Sequence, residues 1–182
     1  LNRLMLSGHP KAAFGNAFQA ASQQMNRQLL GFQLSGGYTL QNIQLALSAI
    51  SNVPRSKISS LRLLVDTNRN GQEDFGEQWV EASTITVDGS TGTATFIFTG
   101  GQASDSGFVV VGDFVGLERG NTVTFGVTPA GIIAGAGVVT TGSAPTVKHT
   151  VASPLMLLDA PFQASNGLIA ATQLANVPLM TF

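Results

Sequence analysis

The chain has 182 residues, ten acidic and nine basic side chains, a net charge of −1 and no cysteine. That length suits one domain with a sizeable core, and the missing cysteine excludes disulfides, thiolate metal sites and a cysteine nucleophile. The nine scattered cations form no basic patch for nucleic acid, and no apolar run reaches the ~20 residues that span a bilayer.

In chain order, residues 1–27 read as an N-terminal arm. Its first part, LNRLMLSGHP, is apolar. The following KAAFGNAFQAASQQMNRQ suits a short helix or an irregular segment, with Gly15 and Asn16 against a firm helix. Residues 28–151 repeatedly show the strand period. Leu30, Phe32 and Leu34 alternate before Gly36-Gly37. Ile43, Leu45, Leu47 and Ala49 share one face, and Gln44, Ala46 and Ser48 the other, until Pro54. Leu61, Leu63 and Val65 alternate again, as do Ala94, Phe96 and Phe98 after an Asp88–Gly92 turn. Phe108 to Val111 is a continuous apolar run suited to a buried strand. Val123, Phe125 and Val127 follow a turn at 117–121, and residues 131–151 add one or two strands. Seven to nine strands at this spacing predict an all-β antiparallel sandwich, Ig-like or jelly-roll.

Residues 152–182 hold one charge, Asp159, among many Leu, Ala, Val, Met and Phe, interrupted by Pro154, Pro161 and Pro178. This segment is too apolar for a disordered tail and too broken for a long helix. It is expected to pack on its own sandwich as edge strands, or to add a strand to a neighbouring subunit. Only 10% of residues are charged, against a usual ~25%, so association into a homo-oligomer or polymer is expected.

The densest chemistry lies between two strand patterns, in LRLLVDTNRNGQEDFGEQWV. Asp66, Asn68 and Asn70 sit two apart, Gly71 follows, and Asp74 and Glu77 complete the pattern D-x-[DN]-x-[DN]-G-x5-E. A hard cation surrounded by roughly 6–8 oxygens needs short oxygen-bearing side chains at alternate positions of a tightly coiled backbone. The set predicted to hold Ca2+ is Asp66, Asn68, Asn70, the carbonyl of Gln72, Asp74 and Glu77. Five of the ten acidic residues (Asp66, Glu73, Asp74, Glu77, Glu81) crowd into positions 66–81, and a cation would relieve their repulsion. Strands on both sides rule out a helix-pair switch, so the ion is expected to pin a connection.

Together, the loop, the TGTATFIF strand and GFVVVGDFVGLERGNTVTFGV resemble the secreted bacterial and archaeal β-sandwich modules of large surface proteins. The loop itself is similar to those of dockerins and thrombospondin type 3 repeats. The resemblance implies an extracellular or cell-surface location, calcium-stiffened structure and no catalysis. A dockerin carries the loop twice among helices; this chain has it once, between strands.

Nothing in the residues assembles a catalytic set. His9 and His149 read as lone surface histidines, no serine sits in a G-x-S-x-G elbow, and the paired carboxylates belong to the calcium loop. The glycines at 131–137 lack a βαβ context for a dinucleotide. Millimolar calcium outside cells and a chain starting at Leu1 favour an extracellular product. The expected role is a structural subunit of a calcium-stabilised filament, fibre or surface layer, linked by strand exchange through the terminal arms. The alternative is an adhesin or carbohydrate-binding module of a larger secreted protein, with a surface glycan as ligand. Phe supplies eleven of thirteen aromatics, which favours packing over sugar stacking.

Overall fold

The computed structural model describes residues 2–152, which form ten strands and one 3-10 turn, Arg55–Lys57. The strands are β1 (Asn2–Gly8), β2 (Ala21–Ser35), β3 (Thr39–Ser51), β4 (Ile58–Asp66) and β5 (Gln78–Asp88). They continue as β6 (Thr91–Ala103), β7 (Ser106–Leu117), β8 (Thr122–Ala134), β9 (Val138–Gly142) and β10 (Val147–Thr150). One continuous hydrogen-bonded order, β10-β8-β3-β6-β5-β4-β7-β2-β1-β9, folds over on itself into two layers. The fold is therefore all-β, as the alternation predicts.

The fold-over happens within β5. Gln78–Glu81 pair with β4, and Ala82–Asp88 pair with β6, with a register shift between Ala82 and Thr84. The first layer is thus β5-β4-β7-β2-β1-β9 and the second is β10-β8-β3-β6-β5. All pairs are antiparallel except β1 with β9, which is parallel. Alternate residues face inward, and Phe32, Phe96, Phe108, Phe114 and Phe125 are fully buried between the layers. Phe32 stacks on Phe108 at 5.2 Å between centroids. Together with the aliphatic chains around them they form one continuous core, the dominant stabilising term.

Three details depart from the pattern reading. Residues 1–27 are not a free arm: Leu4 and Leu6 point into the core, and β1 is hydrogen-bonded to β2 on one side and β9 on the other. Ala49 is exposed with φ 47°, because the register of β3 shifts between Ser48 and Ser51 and Ile50 takes the inward place. Both histidines are buried rather than on the surface. The expected arm or edge strands at 152–182 lie outside the described residues, save Ala152.

The connection between β1 and β2, residues 9–20, has no regular structure and crosses the outer face of the first layer as a strap. That face is apolar where β4 and β7 run side by side. Leu64, Val109 and Val111 form a second cluster there, closed by Ala12, with Phe14 and Trp79 packed against it. Covered on both faces, β7 is buried along nearly its whole length, which explains the unbroken apolar run at 108–111. Two glycines make room for the strap. A Cβ on Gly31 would stand 2.5 Å from the Ala12 carbonyl oxygen, and one on Gly107 would stand 2.4 Å from His9 Nε2.

Candidate calcium loop

The loop begins where β4 ends, at Asp66, whose side chain is fully buried. Its carboxylate accepts three hydrogen bonds. Oδ2 accepts the Gly71 N–H at 2.6 Å and the His9 ring at 2.9 Å; Oδ1 accepts the Asn70 N–H at 3.2 Å. The proton on His9 follows from its other nitrogen. Nδ1 faces the backbone N–H groups of Lys11 (3.1 Å) and Ala12 (2.9 Å), so it must accept and Nε2–H must donate to Asp66. His9 is a neutral clasp joining the strap to the loop's first residue.

The following residues coil by side-chain to backbone bonds at two-residue steps. Asn68 Oδ1 accepts the Asn70 N–H at 3.0 Å, and Asn70 Oδ1 accepts the Gln72 N–H at 2.7 Å. Such turns are the reason Asn and Asp occupy alternate positions. Gly71 takes φ 81°, in the left-handed region, which lets the chain reverse beneath Asp66. The amide nitrogens of Asn68 and Asn70 both donate to Asp74 Oδ2, at 2.7 and 2.5 Å. Four expected ligands, Asp66, Asn68, Asn70 and Asp74, are thus tied into one hydrogen-bonded coil.

Glu77 closes the loop. Its Oε1 accepts the Thr67 N–H at 2.9 Å and its Oε2 the Asp74 N–H at 3.0 Å, so it staples the two ends of the loop. Gln72 donates its N–H to Asn70, and the geometry of its carbonyl adds no hydrogen bond. Arg69 pairs with Asp105 at 2.6 Å, tying the loop to the β6–β7 turn. At the far end the Trp79 indole donates to Glu73 at 2.8 Å, while Phe75 stands wholly in solvent.

The donor chemistry fits a hard divalent cation. Asp66 Oδ1, Asn68 Oδ1 and Asn70 Oδ1 each accept one N–H, and an oxygen of this kind has a second lone pair for a metal. Asp74 supplies another carboxylate. Two carboxylates, two amide oxygens and backbone carbonyls make an oxygen set of calcium type. Among the described residues no group of three or more His, Cys, Asp or Glu gathers closely enough to hold a metal ion, so the set here rests on two carboxylates completed by amide and backbone oxygens.

His149, on β10, mirrors His9. Its Nδ1 accepts the Ala17 N–H at 2.9 Å, and its Nε2–H donates to the Leu29 carbonyl at 2.8 Å. Phe18 and Phe125 pack beside the ring at 5.3 and 5.6 Å. Burial pushes this imidazole below the usual 6.5, opposed by the bond to Leu29. Asn16 completes the anchoring: its amide takes both backbone groups of Thr150, at 2.8 Å each, as a neighbouring strand would. Pattern reading missed both histidine clasps because their partners lie far away in sequence. For His9 the available signal was the pair of strand-interior glycines, Gly31 and Gly107, which mark close backbone approach.

The outer face of the second layer differs. Cross-strand register sets Thr84, Thr95 and Gln44 in one row and Thr86, Thr93, Ala46 and Gly126 in the next. A third row holds Ile97, Asn42 and Ile133, with both isoleucines about half exposed. None of these residues is charged.

No protein-family profile and no curated protein matches the chain. Solved structures include two of similar fold. One is a chain of the CaDoc0917–CaCohA2 complex, 15% identical, with 81% of this chain and 99% of that one covered and a TM-score of 0.41. The other is a non-cellulosomal cohesin from the hyperthermophilic archaeon Archaeoglobus fulgidus, 15% identical, covering 82% and 90% with a TM-score of 0.39. Among the described residues no helix is long and apolar enough to cross a membrane.

Proposed function

We propose that this chain is a non-catalytic binding module of a larger extracellular protein, stiffened by calcium in the 66–77 loop. The observation that carries the reading is the coil from Asp66 to Asp74, where spacing, backbone turns and oxygen chemistry all suit one hard cation. Asp66, Asn68, Asn70 and Asp74 would hold the ion, which would neutralise their crowded charge and stiffen the join between β4 and β5. Loops of this kind fill at the millimolar calcium found outside cells, which supports the location.

Support for a binding role rather than a reaction comes from how the candidate catalytic groups are used. Each histidine has both ring nitrogens committed to the fold. The centre of the second layer's outer face, rows of Thr, Gln, Asn and small residues with Lys148 toward one edge, suits a macromolecular partner, since interface centres are poor in charge. Assembly by strand exchange is less well supported at the N-terminus, where β1 is already paired on both edges.

The test is thermal unfolding in chelator and in millimolar calcium, with light scattering on the same samples. Calcium is expected to raise the melting temperature of the wild type and of no Asp66→Ala sample, while the protein stays monomeric. An undiminished calcium response in Asp66→Ala would contradict the ligand assignment. Calcium-dependent polymers would return the assembly reading.

A further inference from the structure

A concave site of about 550 Å3 opens on the outer face of the first layer, beside the strap. Three elements enclose it: residues 14–17 of the strap, Asn26–Gln28 of β2 where the register shifts, and Glu73 of the calcium loop. Its floor is Leu64 and Val111, and Phe14 and Trp79 contribute aromatic rings. This volume lies within the ~300–1,000 Å3 usual for small-ligand sites, and the combination of apolar floor, rings and a few polar groups is characteristic of them.

The polar groups identify the ligand chemistry. Among the described residues three buried side-chain polar atoms lack a hydrogen-bond partner: Gln24 Oε1, Arg27 Nε and Arg62 Nε. Both arginines line this one site. Arg62 has its charge matched: it lies 3.4 Å from Asp113, 3.9 Å from Glu81 and 5.2 Å above the Trp79 ring, with Asn26 Oδ1 on its Nη2. Arg27 makes no ion pair and no side-chain hydrogen bond among the described residues. A buried guanidinium N–H without an acceptor is costly, and a carboxylate is the acceptor that matches its fork of donors. The one acid in the lining, Glu73, is exposed and accepts the indole N–H, leaving Arg27 uncompensated.

We propose that this site binds a carboxylate on a compact ring body, a uronic-acid sugar residue, with Arg27 pairing the carboxylate. Aromatic rings of Phe14 and Trp79 beside the unpaired guanidinium favour a sugar unit over an extended acidic peptide. Exposed Asn26 and Gln28 at the rim offer amides to ring hydroxyls, and the aromatic rings offer an apolar wall. The assignment rests on the binding-module reading and gives it a ligand class.

Trp79 is the only tryptophan, so its fluorescence and its indole N–H resonance report on this site, and saturating calcium holds the adjoining loop in one state during the titration. In saturating calcium, galacturonate is expected to perturb both signals and galactose to leave them unchanged. Arg27→Gln is expected to weaken binding at least about tenfold, the loss of one charge-assisted pair, and Arg27→Lys to weaken it less. Melting temperatures within about 2 °C of wild type would certify both variants as folded, since Arg27 carries no structural bond. Equal response to galactose, undiminished binding by Arg27→Gln, or response to a glutamate-rich peptide but not galacturonate would each overturn the proposal. Calcium stabilisation is measured on the same samples. If it persists while the sugar titration fails, the sugar site alone is lost; if it is absent, the module reading fails independently.

Discussion

The two layers of the sandwich face outward in opposite ways. The first presents Leu64, Val109 and Val111, and residues 9–20 cover them; the second presents threonine, glutamine and small residues, and within residues 2–152 nothing covers them. The difference lies in the alternation. In β3 and β6 the outward positions are mostly polar or small (Asn42, Gln44, Ala46 and Ser48; Thr93 and Thr95), with Ile97 the apolar exception, so one face can meet water. In β7 the apolar run has no polar phase, so a second cover is required. A segment without regular structure supplies it, and side-chain bonds replace the backbone ladder that such a segment lacks. His9, Asn16 and His149 hold it by capping backbone groups, of which the Ala12 N–H would otherwise be buried unpaired.

The sharpest way to break this comparison is to lift the strap. Gly31→Val would drive its side chain into Ala12, which already lies 2.5 Å from an added Cβ. The expected cost is about 3 kcal/mol, the upper end for overpacking, together with exposure of the Leu64 cluster. Denaturant unfolding gives the first quantity and binding of a hydrophobic dye the second. A Gly31→Val protein as stable as wild type and without dye binding would mean that the cover is dispensable.

Acid tests the clasp at the far end. His149 has its folded-state affinity for protons lowered by burial, so the unfolded chain takes up a proton first as the pH falls. The sign follows: the contribution is complete above about pH 6.5, and stability declines as pH drops below that value toward the lowered one. The slope approaches ~1.4 kcal/mol per pH unit for one group. In His149→Gln the amide can still donate to the Leu29 carbonyl, but nothing titrates. The variant is expected to start less stable at pH 8 and to lose less than wild type between pH 7 and pH 5. Parallel melting curves for the two proteins across that range would remove His149 from the account.

What could be read from residues alone was short-range. The turns of the 66–74 coil were legible because its bonds span two to six residues, from Asn68 with Asn70 to Asn68 with Asp74, and residue type dictates each turn. The strand faces were legible because the period of two is a local property. The role of β1 was not, since Leu4 and Leu6 form too short an alternation and β9 lies over 130 positions away. Nor was the strap, which has no period at all and whose clasps reach 57 and 132 residues along the chain. Glu77, expected as a ligand, also accepts two backbone N–H groups at the ends of the loop. Spacing specifies that it returns to the loop, and only the backbone path decides that it meets the Thr67 and Asp74 N–H groups.

The bare face should respond least. Ala46 sits at its centre, between Thr93 on β6 and Gly126 on β8. Ala46→Val adds two methyl groups where water is the expected neighbour and raises strand propensity, so stability should stay within about 0.5 kcal/mol of wild type. Set beside Gly31→Val, this gives a several-fold contrast between substitutions that each add bulk to the outside of one layer. A loss above about 1 kcal/mol for Ala46→Val would show that this face, too, is packed against something, and the two layers would then be alike in needing a cover. An unchanged melting temperature leaves the face free for a partner, because a surface that tolerates added bulk in the isolated protein contributes nothing to its own fold there.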